Sequence, residues 1–142
     1  MPQPLVLDTN VVLDAFVFDD LAVRPLLPAL DAGLVRWLAT AAMRDELARV
    51  LDYPKLQPRL ARRGLAAADV LARFDRHATV VGAPAKAAVT CGDPDDQKFI
   101  DLAVASAALL LSKDAEVLAL RRRLAGLAVT ARAPLPTEPL VP

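Results

Sequence analysis

Short apolar runs and amphipathic stretches alternate along this chain. Leu5-Val6-Leu7 is continuous and apolar and ends at an acid, which is the pattern of a strand buried on both faces. Val35 to Ala39, Thr79 to Val81 and Leu109 to Leu111 repeat that style, and Leu127 to Thr130 makes a fifth run. Between them the apolar positions follow a helical period over Asn10 to Phe18, Leu21 to Ala32, Thr40 to Leu51, Asp95 to Ala108 and Ala115 to Leu124, with a more polar helix over Leu65 to His77. Strands alternating with helices predict an α/β fold: a three-layer α/β/α sandwich whose central sheet has four to five strands and is mainly parallel. Gly33, Gly82, Gly92 and Gly126 fall between elements as stops, and Pro54 and Pro58 interrupt the middle of the chain. No internal repeat is visible.

The 142 residues suit one compact domain, expected over residues 1–132. Residues 133–142 carry Pro134, Pro136, Pro139 and Pro142 and are expected to form an extended tail, since proline continues neither a helix nor a central strand. Aromatic residues make up only 4% against 55% hydrophobic, so the core is expected to be aliphatic. The most hydrophobic stretch, Leu102 to Leu111, is broken by Ser106 and falls short of the ~20 residues that span a bilayer. The start MPQPLVLDTN lacks the basic and apolar regions of a signal peptide, so a cytoplasmic protein without membrane association is expected.

Charge and cysteine content narrow the chemistry. Lys+Arg and Asp+Glu number 17 each, so any basic surface for a nucleic acid has to be local. Cys91 and His77 are each the sole residue of their kind, which excludes an intrachain disulfide and leaves a zinc site or a Cys–His nucleophile without partners.

The acids are more informative. In an open parallel sheet, ligands bind beyond the carboxyl ends of the strands. Asp8 follows the first strand directly, and Asp114 follows the fourth after the turn Ser112-Lys113. Glu46 lies on the apolar stripe of its helix with Met43, Leu47, Val50 and Leu51, where a carboxylate is costly unless paired or bound to a metal. Asp96 precedes Phe99 and Ile100 by three and four residues and so opens the buried face of the next helix. Asp93, in the loop before it, and Asp101, rotated to one side of that helix's stripe, are additional acids. Each has a plainer reading: Asp96 and Asp114 suit helix caps, and Glu46 suits a partner for Arg44 or Arg49. Asp8 has no evident structural task, and the set of four outweighs its members.

Carboxylates converging on one cleft make a hard-oxygen site for Mg²⁺ or Mn²⁺. Two such ions about 3.5–4 Å apart promote phosphodiester cleavage without a protein nucleophile. Thr9, Asn10 and Ser112 suit supporting roles, orienting Asp8, Asp114 or a bound water, although Asn10 is also an ordinary helix cap.

The strings Asp8-Thr9-Asn10, Arg44-Asp45-Glu46-Leu47, Asp93-Pro94-Asp95-Asp96-Gln97-Lys98-Phe99 and Ser112-Lys113-Asp114 occur in the order seen in PIN domains. From Leu5 to about Thr130 the chain resembles that family, and within it the branch of VapC-like toxin components of toxin–antitoxin systems. The resemblance implies a metal-dependent endoribonuclease with Asp8, Glu46, Asp96 and Asp114 as its acidic quartet, acting on RNA, commonly as a homodimer, and restrained by a partner antitoxin. Asp101 departs from the family pattern, standing where many relatives carry a small apolar residue, so Asp93, Asp96 and Asp101 all compete for the third position.

Other phosphate chemistries fit less well. A haloacid-dehalogenase-type phosphatase needs a second Asp where Asn10 stands, a receiver domain would place its acceptor Asp later in the chain, and there is no G-x-x-x-x-G-K motif. The competing reading from another class is a PIN-like module that binds RNA or protein without turnover.

Overall fold

The computed structural model describes residues 2–136 and Leu140, so the remainder of the expected tail, 137–139 and 141–142, lies outside the described residues. Five strands form one sheet in the order β3-β2-β1-β4-β5, with every pairing parallel. They are β1 (Gln3–Leu7), β2 (Val35–Ala39), β3 (Ala78–Val80), β4 (Leu109–Leu111) and β5 (Thr130–Arg132). The helices are α1 (Thr9–Phe16), α2 (Leu26–Asp31), α3 (Ala41–Leu51), α4 (Gln57–Arg62), α5 (Ala67–His77), α6 (Gln97–Ser106), α7 (Ala115–Leu118) and α8 (Arg121–Ala125). The right-handed rule for crossovers between parallel strands places α1 to α5 over one face and α6 to α8 over the other. Accordingly α2 packs on β2 and α5 on β3, whereas α6 packs on β1 and β4 and α8 on β5. The expected α/β/α sandwich is present, with five strands rather than four and no antiparallel member.

β1 is buried along Leu5, Val6 and Leu7, and β4 along Leu109, Leu110 and Leu111, as continuous apolar central strands require. Aliphatic side chains supply most of the core, but the expectation of a ring-free interior is corrected. Trp37 stacks on Phe16 at 5.8 Å and meets Phe74 edge-on at 5.0 Å, and Phe99 is also buried. The scarce aromatics are concentrated inside because each buries more area than any aliphatic residue.

Several boundaries moved for local reasons. The helix expected over Leu21 to Ala32 is a 3-10 turn at Leu21–Val23 followed by α2, because Pro25 has no N–H to continue the ladder. α4 was hidden by Pro58, which sits in its first turn where proline is tolerated. The helix expected over Ala115 to Leu124 is split into α7 and α8. The strand expected over Leu127 to Thr130 begins only at Thr130: Val129 N donates to Leu124 O at 3.0 Å and Ala128 has φ of 64°, so the chain is still turning there.

Between β3 and the 3-10 turn Pro94–Asp96 the chain runs without regular structure, yet it is tied down. Asp101 accepts from Ala87 N and Gln97 Nε2, both at 2.8 Å, while Gln97 donates to Val89 O at 2.9 Å and accepts from Cys91 N at 2.7 Å. Asp101, expected among the site acids, is instead a loop anchor. Replacing it by Ala is expected to lower stability by about 1–2 kcal/mol. Urea denaturation should show this loss unchanged by Mn²⁺, with proteolytic nicking between residues 82 and 92 accelerated.

Candidate metal centre

The direction of chain progression reverses between β1 and β4, and a parallel sheet leaves a crevice at such a switch point. Register brings the acids to it. Leu7 pairs with Leu111, and Asp8 N then donates to Leu111 O at 3.2 Å, which sets Asp8 level with Ser112 at the carboxyl edge. Asp8 is buried and caps α1, its Oδ1 accepting from Val11 N at 3.0 Å. The structural task that sequence did not suggest for Asp8 is therefore this cap, and it displaces Asn10, which lies inside the helix on its exposed side. The second oxygen of Asp8 accepts from the fully buried Ser112 hydroxyl, whose Oγ also accepts from Asp114 N at 3.0 Å. One hydroxyl thus locks the acids of two neighbouring strands together.

Asp114 caps α7 by accepting from Glu116 N at 2.8 Å, and Asp93 accepts from Asp95 N at 3.0 Å. Asp96 stands at the N-cap position of α6 but makes no side-chain cap bond, contrary to the plain reading of its sequence position. Its Oδ2 is buried without any hydrogen-bond partner among the described residues. Carboxylate oxygens of Asp93, Asp96 and Asp114 all lie within 4.8 Å of one another. Burial, then the charges of Asp114, Asp93 and Asp8, push the Asp96 carboxyl up from 3.8 to about 7. Asp8 is raised too, chiefly by burial and further by Asp114, against the opposing pull of its bonds to Ser112 and Val11. A buried acceptor without a donor, among carboxylates of like charge, is the donor set of a divalent cation.

Glu46 reaches the same cleft from α3, but differently. Its Oε2 accepts from the Thr9 hydroxyl and its Oε1 pairs with Lys98 Nζ at 2.8 Å. The expected pairing with Arg44 does not occur, since that guanidinium binds Asp75. Asp8, Thr9, Asn10, Glu46, Asp93, Asp96 and Asp114 line one cleft of about 200 Å³ together with Val50 and Phe99. Asp101 is outside it. Lys113 turns away from the acids and pairs with Asp14 on α1, an otherwise buried carboxylate. Among the described residues, neither Lys98 nor Lys113 forms an ion pair with Asp8, Asp93, Asp96 or Asp114. Cys91 is buried and burial pushes its thiol up, so it offers no nucleophile.

The PIN domain family model matches residues 4–116 of this chain. The chain is a PIN-domain protein. No curated protein matched it. PIN domains are generally nucleases, and in this PIN-domain protein Asp93, Asp96 and Asp114 could hold a divalent metal. No helix among its described residues is long and apolar enough to cross a membrane.

Sequence reasoning missed two contributors, Asp14 and Lys98, and ranked a third too low. Asp14 carried a usable signal, since it stands in the apolar run Val11 to Val17 of a helix buried nearly all round, where a lone acid needs a partner. Lys98 carried none, because Glu46 is 52 positions away. Asp93, ranked below Asp96 from sequence, belongs to the tightest group of three.

The Asp96 proton gives a measurable signature in chelator. The folded carboxyl holds its proton up to about pH 7, against 3.8 ordinarily, so its contribution to stability is fully present below pH 4 and is lost as pH rises through 7. Asp96→Asn should therefore gain stability over the parent between pH 4 and 7, as thermal melts will show. Saturating Mn²⁺ at pH 7 should reverse the order, because cation binding favours the ionised parent. A difference that is flat with pH would contradict this environment for Asp96.

Proposed function

We propose that this PIN-domain protein is a metal-dependent endoribonuclease that cleaves phosphodiester bonds of single-stranded RNA. The observation that carries the reading is the buried, unpartnered Oδ2 of Asp96, gathered with the carboxylates of Asp93 and Asp114 beside Asp8. All the donors are oxygens, which suits Mg²⁺ or Mn²⁺ and not a soft metal. Divalent ions held there supply the Lewis acidity that activates water and steadies the departing oxygen in phosphodiester hydrolysis.

The protein's own residues do the rest by position. Asp93, Asp96 and Asp114 would hold the cation, with Asp8 beside them and Glu46 completing the acidic wall. Ser112 keeps Asp8 and Asp114 at fixed separation, so neither acid rotates into solvent. Lys113, bound to Asp14, pins the turn that carries Asp114 to the helix that follows Asp8. Thr9 and Lys98 orient Glu46. The likeness of the four strings to VapC-like proteins extends the proposal: a cytoplasmic toxin component acting as a homodimer and restrained by an antitoxin.

Purified protein should cut single-stranded RNA with Mn²⁺ or Mg²⁺ and stop on addition of chelator. Gel assays should find Asp8→Asn and Asp96→Asn slower by about 100-fold or more, and Ser112→Ala slower by roughly 10- to 100-fold. Equal rates for parent and both Asp variants would assign the cleavage to a contaminant. RNA retention without cleavage by the metal-loaded parent would support the non-catalytic module instead.

A further inference from the structure

At the far end of α1 from the acidic cleft, Phe18, Arg59, Arg62 and Arg63 line a second pocket. The Arg59 guanidinium lies over the Phe18 ring, 3.9 Å from its centroid. Among the described residues, none of the three arginines has a carboxylate within ion-pairing distance, although the acids and bases of the chain are equal in number. A helix C-terminus accounts for basic residues on α4, but not for three unpaired arginines lining one pocket with an aromatic ring.

We propose that this pocket is a second binding site for the RNA strand, taking backbone phosphates on Arg62 and Arg63 and a base on the outer face of the Arg59 guanidinium. The choice of RNA as occupant rests on the nuclease reading of the acidic cleft. Planar guanidinium forks match phosphate oxygens, and an exposed guanidinium over an aromatic ring suits stacking of a base. An acidic peptide would use the charges but not the planar groups beside them. The same two segments line both sites: α1 contributes Asn10 at the cleft and leads to Phe18 at the pocket, while α3 contributes Val50 at the cleft and leads into α4. Eight helical residues span about 12 Å, roughly four nucleotides at the 3.4 Å spacing of a stacked strand. A protein with no net positive charge and an acidic cleft needs such a local counterweight to retain a polyanion.

The test is fluorescence anisotropy of a labelled 12-nucleotide single-stranded RNA in chelator, where no cleavage intervenes. The double variant Arg62→Ala/Arg63→Ala is expected to raise Kd by about 10- to 30-fold and to flatten the salt dependence by about 1.4 in log–log slope, which is two phosphate contacts. Arg59→Lys, which keeps the charge and loses the plane, is expected to raise Kd by about 3- to 10-fold with the slope unchanged. Arg121→Ala/Arg122→Ala, on the exposed surface of α8, should leave both quantities unaltered. The proposal is overturned if the Arg62/Arg63 variant, melting like the parent, binds as tightly as the parent. It is equally overturned if the Arg121/Arg122 variant loses as much, or if polyglutamate of equal charge displaces the RNA as well as unlabelled RNA does. Arginine-dependent binding by a protein that cuts no RNA would sink the nuclease reading and leave this site standing.

Discussion

Carboxylates of like charge are held together at the one crevice that a sheet of this topology creates, and most of the architecture around them manages that repulsion. Asp8 and Asp114 end neighbouring strands, so parallel pairing itself forces them together. Asp93 and Asp96 arrive on the turn that opens α6, and Glu46 arrives on α3. The chain compensates part of this. Ser112 donates to Asp8, Lys98 neutralises Glu46, and Lys113 neutralises Asp14 behind the site. For Asp96 it supplies no compensating cation, leaving its buried Oδ2 with no donor and a carboxyl that keeps its proton to about pH 7. A site that carries such a cost without a structural return is poised for a cation.

Rigidity of the surroundings makes the arrangement persist. β1 and β4 are buried on both faces, and two of the acids complete helix caps, so rotating Asp8 or Asp114 away would forfeit a backbone hydrogen bond as well. The irregular loop before the 3-10 turn is held by Gln97 and Asp101 from α6, the same helix whose first turn carries Asp96. Loop and acid are therefore positioned by one element.

Much of this was legible from residues alone where a local pattern carries the information. Apolar runs ending in acids located β1 and β4 and hence Asp8 and Asp114, and the helical stripe of α3 pointed to Glu46. What failed depended on partners distant in sequence or on backbone detail. The kind of helix cap offered as the plain reading of Asp96 is made by Asp8 instead, because a free N-cap oxygen is visible only once the helix start is known to a single residue. Asp101 looked like a site acid because the backbone N–H it serves, at Ala87, lies in a loop with no periodic signal. The start of β5 depended on a left-handed residue at Ala128, which no side-chain pattern announces. α4 was concealed by a proline that its first turn accommodates.

The central claim is that these acids share cations, and crystals soaked in Mn²⁺ test it most directly through anomalous scattering. The account predicts a peak bounded by Asp93, Asp96 and Asp114, beside Asp8, and its absence in crystals of Asp96→Asn. Strong peaks confined to other surfaces of the molecule, with this cleft filled only by water at millimolar Mn²⁺, would contradict it.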